Sequence, residues 1–529
     1  MLSSTNFGTG HVPPELDLFA FDRGSVTAPA GCGKTHLIAD TVGLHAGSKP
    51  ILILTHTNAG VAALRARLQR AGVPSSAHRI STIDGFAMRL IGKFPMRSGH
   101  NPRILEINAP ANDYPAIRDA AGRLLQAGHV NDSLRATYSR LLVDEYQDCN
   151  LALHSIVAWA AQVLPTCVLG DPMQAIFGFA GNRLVDWAAD VQTQFPVIGT
   201  LQTPWRWRLA GTESLGNWLL AARTQLQAGH PVDLHNAPPE VQWVQLNAAT
   251  AIPQRLAAAR TRAPDGRSAV LIIGDARNVQ GRHQLTSQTP GATAVEAVDL
   301  GDLVRFARDF DPSRENSLAQ LATFAASLMT GVGAAGLVAR VETIRNGRAR
   351  NSPTPIEEAA VAYANAPSLV GAAQLFQGFS GQSGTHIFRP EVLRCCLSAM
   401  RAAATGACTL HAAVLQARER NRHLARPLTR RAVGSTLLLK GLEADIAVIL
   451  NPELMTAQNL YVALTRGGLC NIFSVKVSRR VHWAGWIKGS YSSRFFRSPI
   501  PRRTRRAAPK RGAGKKADWG RSKPRGFCV

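Results

Sequence analysis

The chain has 529 residues, 45% of them hydrophobic and 18% charged, a globular balance that excludes wholesale disorder and leaves room for three or four domains. Its eight cysteines include no CxxC pair and no clustered His/Cys ligand spacing, which excludes a small disulfide-stapled scaffold, gives no zinc or iron–sulfur site and fits a reducing cytosol. The net charge of +25 is uneven: residues 476–529 hold 17 Lys/Arg against one acid, Asp518, while the rest of the chain holds 43 basic against 34 acidic residues.

The N-terminal stretch lacks a basic region followed by an apolar one, so no secretory signal is read and a cytoplasmic location, nucleoid-associated in a bacterium, is expected. Ser25 to Ala28 reads as a short strand that runs into a glycine-containing loop, with a helix from about Lys34. Ile51–Thr55, Leu141–Val143 and Thr166–Leu169 are apolar runs of buried-strand length, and Val61–Leu68 has helical periodicity. Two more such strands follow at Ala269–Ile273 and Ile446–Leu450, separated by an Ala-rich helical region over about 291–430. Within it, Ser317 to Ala339 reaches membrane-span length, but its Ala, Gly, Ser and Thr content reads as packed soluble helices, and no membrane partner is expected. Gly331, Gly333 and Gly336 fit GxGxxG without a preceding strand, which reads as a break between helices. Strands alternating with helices predict an α/β fold whose parallel sheets bind ligand at the strand C-termini.

The run Ala28-Pro29-Ala30-Gly31-Cys32-Gly33-Lys34-Thr35 lies between a predicted strand and a predicted helix. Glycines there let backbone amides turn toward a phosphate at a helix N-terminus, Lys34 would reach the β/γ-phosphates, and the Thr35 hydroxyl would ligate magnesium. A second carboxylate site is expected at the end of a neighbouring strand, and Asp144-Glu145 after Leu142-Val143 supplies it. Alone, an acidic pair after a strand reads as a loop-capping or solvated pair; coupled to Lys34, Asp144 would hold magnesium and Glu145 would orient and deprotonate the attacking water.

The wording around these residues is more specific. Asp144-Glu145-Tyr146-Gln147-Asp148 and Gly170-Asp171-Pro172-Met173-Gln174-Ala175-Ile176-Phe177-Gly178-Phe179 resemble the Walker B and third motifs of UvrD/Rep-type superfamily I DNA helicases. The phosphate loop has that family's form, with Ala28 in first place; Thr55-His56-Thr57-Asn58 and Ser81-Thr82-Ile83-Asp84-Gly85-Phe86 resemble its next motifs. Trp205-Arg206 resembles motif IV, Lys440-Gly441-Leu442-Glu443 motif V, and Tyr461-Val462-Ala463-Leu464-Thr465-Arg466 motif VI, all in family order over about residues 24–470.

The resemblance implies an α/β fold of two RecA-like P-loop lobes with parallel sheets; the Ala-rich region reads as a helical insertion in the second lobe, and the Pro/Gly/basic segment, which cannot bury a core, as a disordered basic C-terminal tail. It assigns residues 1–196 to the first lobe, with a reduced accessory insertion at about 91–139. The second lobe takes 197–290 and 431–475, the helical insertion 291–430, and the tail 476–529. It implies ATP and Mg2+ as cofactors and roles for further residues. Gln174 would sense the γ-phosphate, Arg206 and Arg466 would act as arginine fingers, and Glu443 would contact the nucleotide. Lys440 would support its loop, while Thr55, His56, Asn58, Phe177 and Phe179 would contact DNA. The function implied is an ATP-dependent helicase or translocase on single-stranded DNA and single/double-strand junctions, 3′ to 5′, as a monomer or weak oligomer. Two rivals stand beside it: a DNA-stimulated ATPase that translocates without unwinding, and a nucleic-acid-binding protein with a degenerate motor. The sequence departs from the family in having no glutamine before Gln69 to read adenine, and Leu437 where many relatives have histidine. The tail chemistry fits a nucleic-acid tether, a solvated tail or a terminus with no selected role alike.

Overall fold

The computed structural model describes residues 16–178, 182–247, 249–262, 268–422, 429–475 and 480–481. Phe179 and all of the basic tail but Arg480 and Val481 lie outside them.

The first lobe is built on β1 (Arg23–Thr27), β2 (Ile51–Thr55), β3 (His78–Thr82), β4 (Arg140–Val143), β5 (Thr166–Gly170) and β6 (Val197–Thr200). They form one sheet in the order β3-β2-β4-β5-β1-β6, with every pairing parallel. β2 and β5 are buried along their whole length, as strands covered on both faces must be, and this is why they read as unbroken apolar runs. β6 is an edge strand with exposed ends; it carries the first sheet four residues past the boundary expected at 196, because its pairing with β1 outweighs its weak apolar pattern.

The second lobe follows β7 (Val232–Asp233) with β8 (Val241–Gln245), β9 (Val270–Ile273), β10 (Thr293–Ala294), β11 (Arg431–Gly434), β12 (Ala444–Ile449) and β13 (Gly467–Val475). β8 to β13 make a second all-parallel sheet in the order β10-β11-β9-β12-β13-β8. β7 pairs antiparallel with β14 (Arg480–Val481). The architecture is two RecA-like α/β lobes.

The helical insertion leaves the second sheet at β10 and returns at β11, its neighbour, so its two ends lie side by side. Its helices run from Gly301–Asp309 to Leu410–Arg422 around a core of their own that includes Leu321, Phe376, Phe379, Cys396 and Met400. The insertion is anchored by the Arg389 guanidinium, which donates to Glu296 at 2.7 and 2.9 Å and to Asp302 at 3.2 Å. Gly331 and Gly333, both at positive φ, break the chain between helices Ser317–Ala326 and Ala334–Arg345. No helix among the described residues is long and apolar enough to cross a membrane.

In the first lobe the segment 91–139 forms a 17-residue helix, Pro110–Gln126, two short ones, Pro95–Ser98 and Asn131–Thr137, and one 3-10 turn. Their apolar face, with Ile117, Ala121, Leu124 and Leu134, shares one core with Phe86, Ile91, Leu153 and Ile156 of the lobe itself. The two lobes also meet in a continuous core: Ala30 and Met173 of the first pack with Trp207, Leu215, Leu271, Leu460 and Tyr461 of the second.

Candidate active site

The chemistry gathers where β1, β4 and β5 end. β1 feeds the loop Ala28–Gly33, whose Ala28 N–H donates to the Gly170 carbonyl at the end of β5 (2.8 Å). Gly31 and Gly33 have φ of 72° and 83°, a left-handed conformation that side chains resist, and helix Lys34–Gly43 starts directly after them. Space as well as φ demands glycine here, since a Cβ on Gly31 would run into the Trp207 ring and one on Gly33 would lie 2.9 Å from Trp205.

β4 delivers Asp144 and Glu145. Glu145 is one of few described non-glycine residues at positive φ, 55°, a backbone strain of about 1–3 kcal/mol that proteins hold where geometry serves a site. That turn aims its carboxylate back at the loop. Lys34 Nζ sits 2.9 Å from Asp144 Oδ1 and 2.6 Å from Glu145 Oε1. Burial works against the Lys34 charge, but the two carboxylates more than offset it and hold the ammonium well above the ordinary lysine range. Burial would raise Glu145, yet Lys34 overrides it and pulls the carboxyl down to about 2. Asp144 moves the other way: its burial, with the Glu145 charge beside it, outweighs the same lysine and raises it. One cation shared by two carboxylates satisfies the more exposed one better, and the sealed one pays for its desolvation.

Behind this cluster Gln147 ties two loops together. Its amide donates to Glu145 Oε2 (2.5 Å), and its carbonyl oxygen accepts from the Asp171 N–H (3.1 Å). Asp171, fully buried, accepts from the Gln174 amide at 3.2 Å and from Arg223 Nε and Nη2 at 3.1 and 2.8 Å. Gln174 is thereby held beside the Glu145 turn.

The second lobe approaches from the other side. Helix Trp205–Leu209 docks on the phosphate loop through the Arg206 N–H, which donates to the Gly31 carbonyl (3.0 Å). The Arg206 guanidinium donates to the Thr465 carbonyl at 2.7 Å and pairs with Glu443. Arg466 is buried at 4% exposure and is held by carbonyls of Val462 and Leu442 and by Thr465 Oγ1. Burial, then the like charge of Arg206, brings it down to about 10; it remains cationic at neutral pH. The Tyr461 hydroxyl accepts from the Ala30 N–H at 3.1 Å, and the Trp207 indole N–H donates to the Gly467 carbonyl at 2.9 Å. Lys440 Nζ donates to both oxygens of Asp148 (2.6 and 2.7 Å) and to the Gln174 carbonyl (2.7 Å). Shallow cavities of about 540 and 410 Å³ lie in the helical insertion, and none of their lining residues belongs to this cluster.

Of the residues expected to meet DNA, His56 and Phe177 come together, ring centroids 6.2 Å apart, and Asn58 is exposed as the first residue of helix Asn58–Arg70. Thr55 is a correction: as the last residue of a covered central strand it is fully buried and presents no surface to a strand. Phe179 is not among the described residues.

Residues 22–121 and 111–187 match the family model of the UvrD/REP helicase N-terminal domain. Over those residues the first lobe is similar to that helicase domain. The match covers the first lobe and leaves the second lobe outside it. Among solved structures, the crystal structure of Pif1 helicase from Candida albicans is similar at 11% identity and a TM-score of 0.37, covering 88% of this chain and 95% of that one. No curated protein matches the sequence.

Several contacts of this cluster escape a reading of the sequence by motif. Arg223 interrupts the apolar stripe Leu215, Leu219, Ala222, Leu226 of helix Glu213–Gln227, and a cation on a buried face signals a buried acid to meet it. Trp207 reads as an ordinary core aromatic and Tyr461 as the first residue of a motif with no role of its own; only the closeness of two lobes far apart in sequence turns them toward the phosphate loop.

Proposed function

We propose that the chain is a motor that couples Mg-ATP hydrolysis between its lobes to 3′ to 5′ movement on single-stranded DNA and to duplex unwinding. The observation that carries this reading is the convergence of Lys34, Asp144 and Glu145 at one sheet edge with Arg206 and Arg466 brought to it from the other lobe.

The residues fit the nucleotide and its metal. Gly31 and Gly33, both at positive φ, lead directly into the N-terminus of helix Lys34–Gly43, whose second residue is Thr35, and Asp144 already binds a cation, the Lys34 ammonium. Asp144 and Thr35 would hold magnesium, which would supply charge neutralisation to the nucleotide phosphates. Lys34 would move from the carboxylates onto those oxygens. This matters for Glu145: with Lys34 against it the carboxylate is a poor proton acceptor, held at about 2, and it regains basicity only when Lys34 leaves. The water proton would then pass to Glu145 as the water oxygen attacks the γ-phosphorus and the ADP oxygen departs. Arg206, released from Glu443, and Arg466 would face the transferring phosphoryl group. Gln174 would report its loss through Asp171 and Gln147.

The test is ATP turnover with and without oligo(dT). Lys34→Ala and Glu145→Gln should each lower stimulated turnover by about 10²-fold or more, and unchanged turnover in either would overturn the assignment. Displacement of a labelled strand from substrates with a 3′ or a 5′ overhang tests polarity and unwinding together. A second reading, translocation without unwinding, is favoured by one observation: the 91–139 helices share the core of the first lobe and build no separate body to part a duplex. Turnover stimulated by DNA with no displaced strand would select it.

A further inference from the structure

We propose that Lys440 is a positioning residue that couples occupancy of the strand site to ATP turnover, by bridging the Asp144–Asp148 loop, the Gln174 turn and the Phe177 ring from the opposite lobe. The inference rests on the motor reading above and names the element through which its two sites communicate.

Lys440 caps helix Thr436–Leu439 and is followed by Gly441 at positive φ, so its side chain leaves the second lobe and ends inside the first. Both members of the Lys440–Asp148 pair are sealed, at 9% and 5% side-chain exposure. The three ammonium donors match the contacts to the two Asp148 oxygens and the Gln174 carbonyl. The charge lies over the Phe177 ring, 4.5 Å from its centroid.

Each partner belongs to a different part of the proposed cycle. Asp148 ends the turn Tyr146–Asp148 that also carries Gln147, the residue holding Glu145. Gln174 has its side chain on Asp171 and its carbonyl on Lys440. Phe177, with His56 near it, is the described aromatic platform for a base. A ring face that carries an ammonium does not at the same time carry a stacked base. A base arriving on that face therefore shifts Lys440, and Lys440 cannot shift without moving the Asp148 turn or the Gln174 carbonyl, because a buried charge stripped of its partner is strongly disfavoured. Burial pushes Asp148 up to about 6 and Lys440 down, so each keeps its charge through the other. Of the other titratable groups facing the pair, Glu145 and Lys34 belong to the catalytic cluster itself, and His56, which faces Lys440, is held below the ordinary imidazole range chiefly by its burial.

The experiment uses the full chain and measures ATP turnover across a titration of oligo(dT), binding of a labelled oligo(dT), and thermal melting, for wild type, Lys440→Met, Lys440→Arg and Asp148→Asn. In Lys440→Met and Asp148→Asn the ratio of turnover at saturating strand to turnover without strand should fall by about tenfold or more, with the KM for ATP within about threefold of wild type. Lys440→Arg, which keeps the charge, should recover part of the ratio. A Lys440→Met ratio equal to that of wild type, or a loss that disappears once strand is saturating, overturns the proposal. If Lys440→Met melts early, the near-isosteric Asp148→Asn decides by the same criterion. Wild type without any stimulation would instead refute the motor reading, so the two failures are distinct.

Discussion

Trp207→Ala offers the sharpest test of how the two lobes are joined. Trp207 is 1% exposed and lies in the core that contains both Ala30 of the phosphate loop and Leu215, Leu271 and Leu460 of the second lobe. Truncating a buried tryptophan costs about 3–5 kcal/mol through lost transfer energy and the cavity left behind. The sealed Gly467 carbonyl also loses its donor, at about 1 kcal/mol, and Arg206 loses the ring it lies over at 5.2 Å, about another 0.5–1 kcal/mol. These terms overlap, and a total near 4 kcal/mol lowers the melting temperature of a lobe of this size by about 8–16 °C. Trp207→Phe separates packing from hydrogen bonding and should lose less than half as much. Gly31→Ala should destabilise as well with the tryptophan intact, since it sets both a positive φ and the Trp207 ring against a Cβ. Differential scanning calorimetry on the three variants reads the effect. A Trp207→Ala shift corresponding to less than about 1 kcal/mol would show that the phosphate loop is not docked into the second lobe through this ring.

Arg223→Ala leaves the fully buried Asp171 without the guanidinium that donates twice to its Oδ1 and should cost about 3–5 kcal/mol by urea unfolding, whereas a paired Asp171→Asn/Arg223→Met variant should recover most of it. The pH dependence follows from two carboxyls of opposite sense. Asp148 stands at about 6 in the folded chain against an ordinary 3.8, so the folded state binds that proton more tightly, and acidification from about 6 toward 3.8 adds stability through this group while it discharges the pair with Lys440. Strand-stimulated turnover should therefore decline as pH falls through about 6, relative to turnover without strand, and Asp148→Asn should lack that limb. Glu145, held at about 2 against 4.5, contributes stability that is complete above 4.5 and is lost as pH falls toward 2; melting of Glu145→Gln across that range checks it. Removing residues 488–529, which include fourteen Lys/Arg, should flatten the salt dependence of oligo(dT) binding if the tail is a tether, by a log–log slope of about 0.7 for each phosphate that the tail neutralises; an unchanged slope would leave it a solvated tail.

Much of this protein is written in local sequence. β2, β5, β9 and β12 announce themselves because strands covered on both faces must be continuously apolar, and the phosphate loop does so because only glycine meets its backbone angles. Lys34, Asp144 and Glu145 follow once parallel strands are expected to end on one edge, since that edge is fixed by topology and the spacing along the chain does not matter. β3, β6 and β8 are partly exposed, so their pattern is mixed and their neighbours decide them.

The interface between lobes is another matter. Nothing near Trp207 tells that it faces Gly31, nothing near Tyr461 that it accepts from Ala30, and nothing near Lys440 that its charge is met by Asp148, 292 positions earlier. Composition and periodicity report which face of an element is buried, and they hold no record of which distant element covers it. Thr55 shows the same limit from the other side, for its motif is local while its burial is a property of the finished sheet. The sequence by itself determined the parts of the Lys34–Asp144–Glu145 cluster and the two lobes that meet at it. The tertiary structure alone decided which charges stand opposite one another, because an electrostatic partner is chosen by distance in space, and in a chain of this length that distance is set by packing.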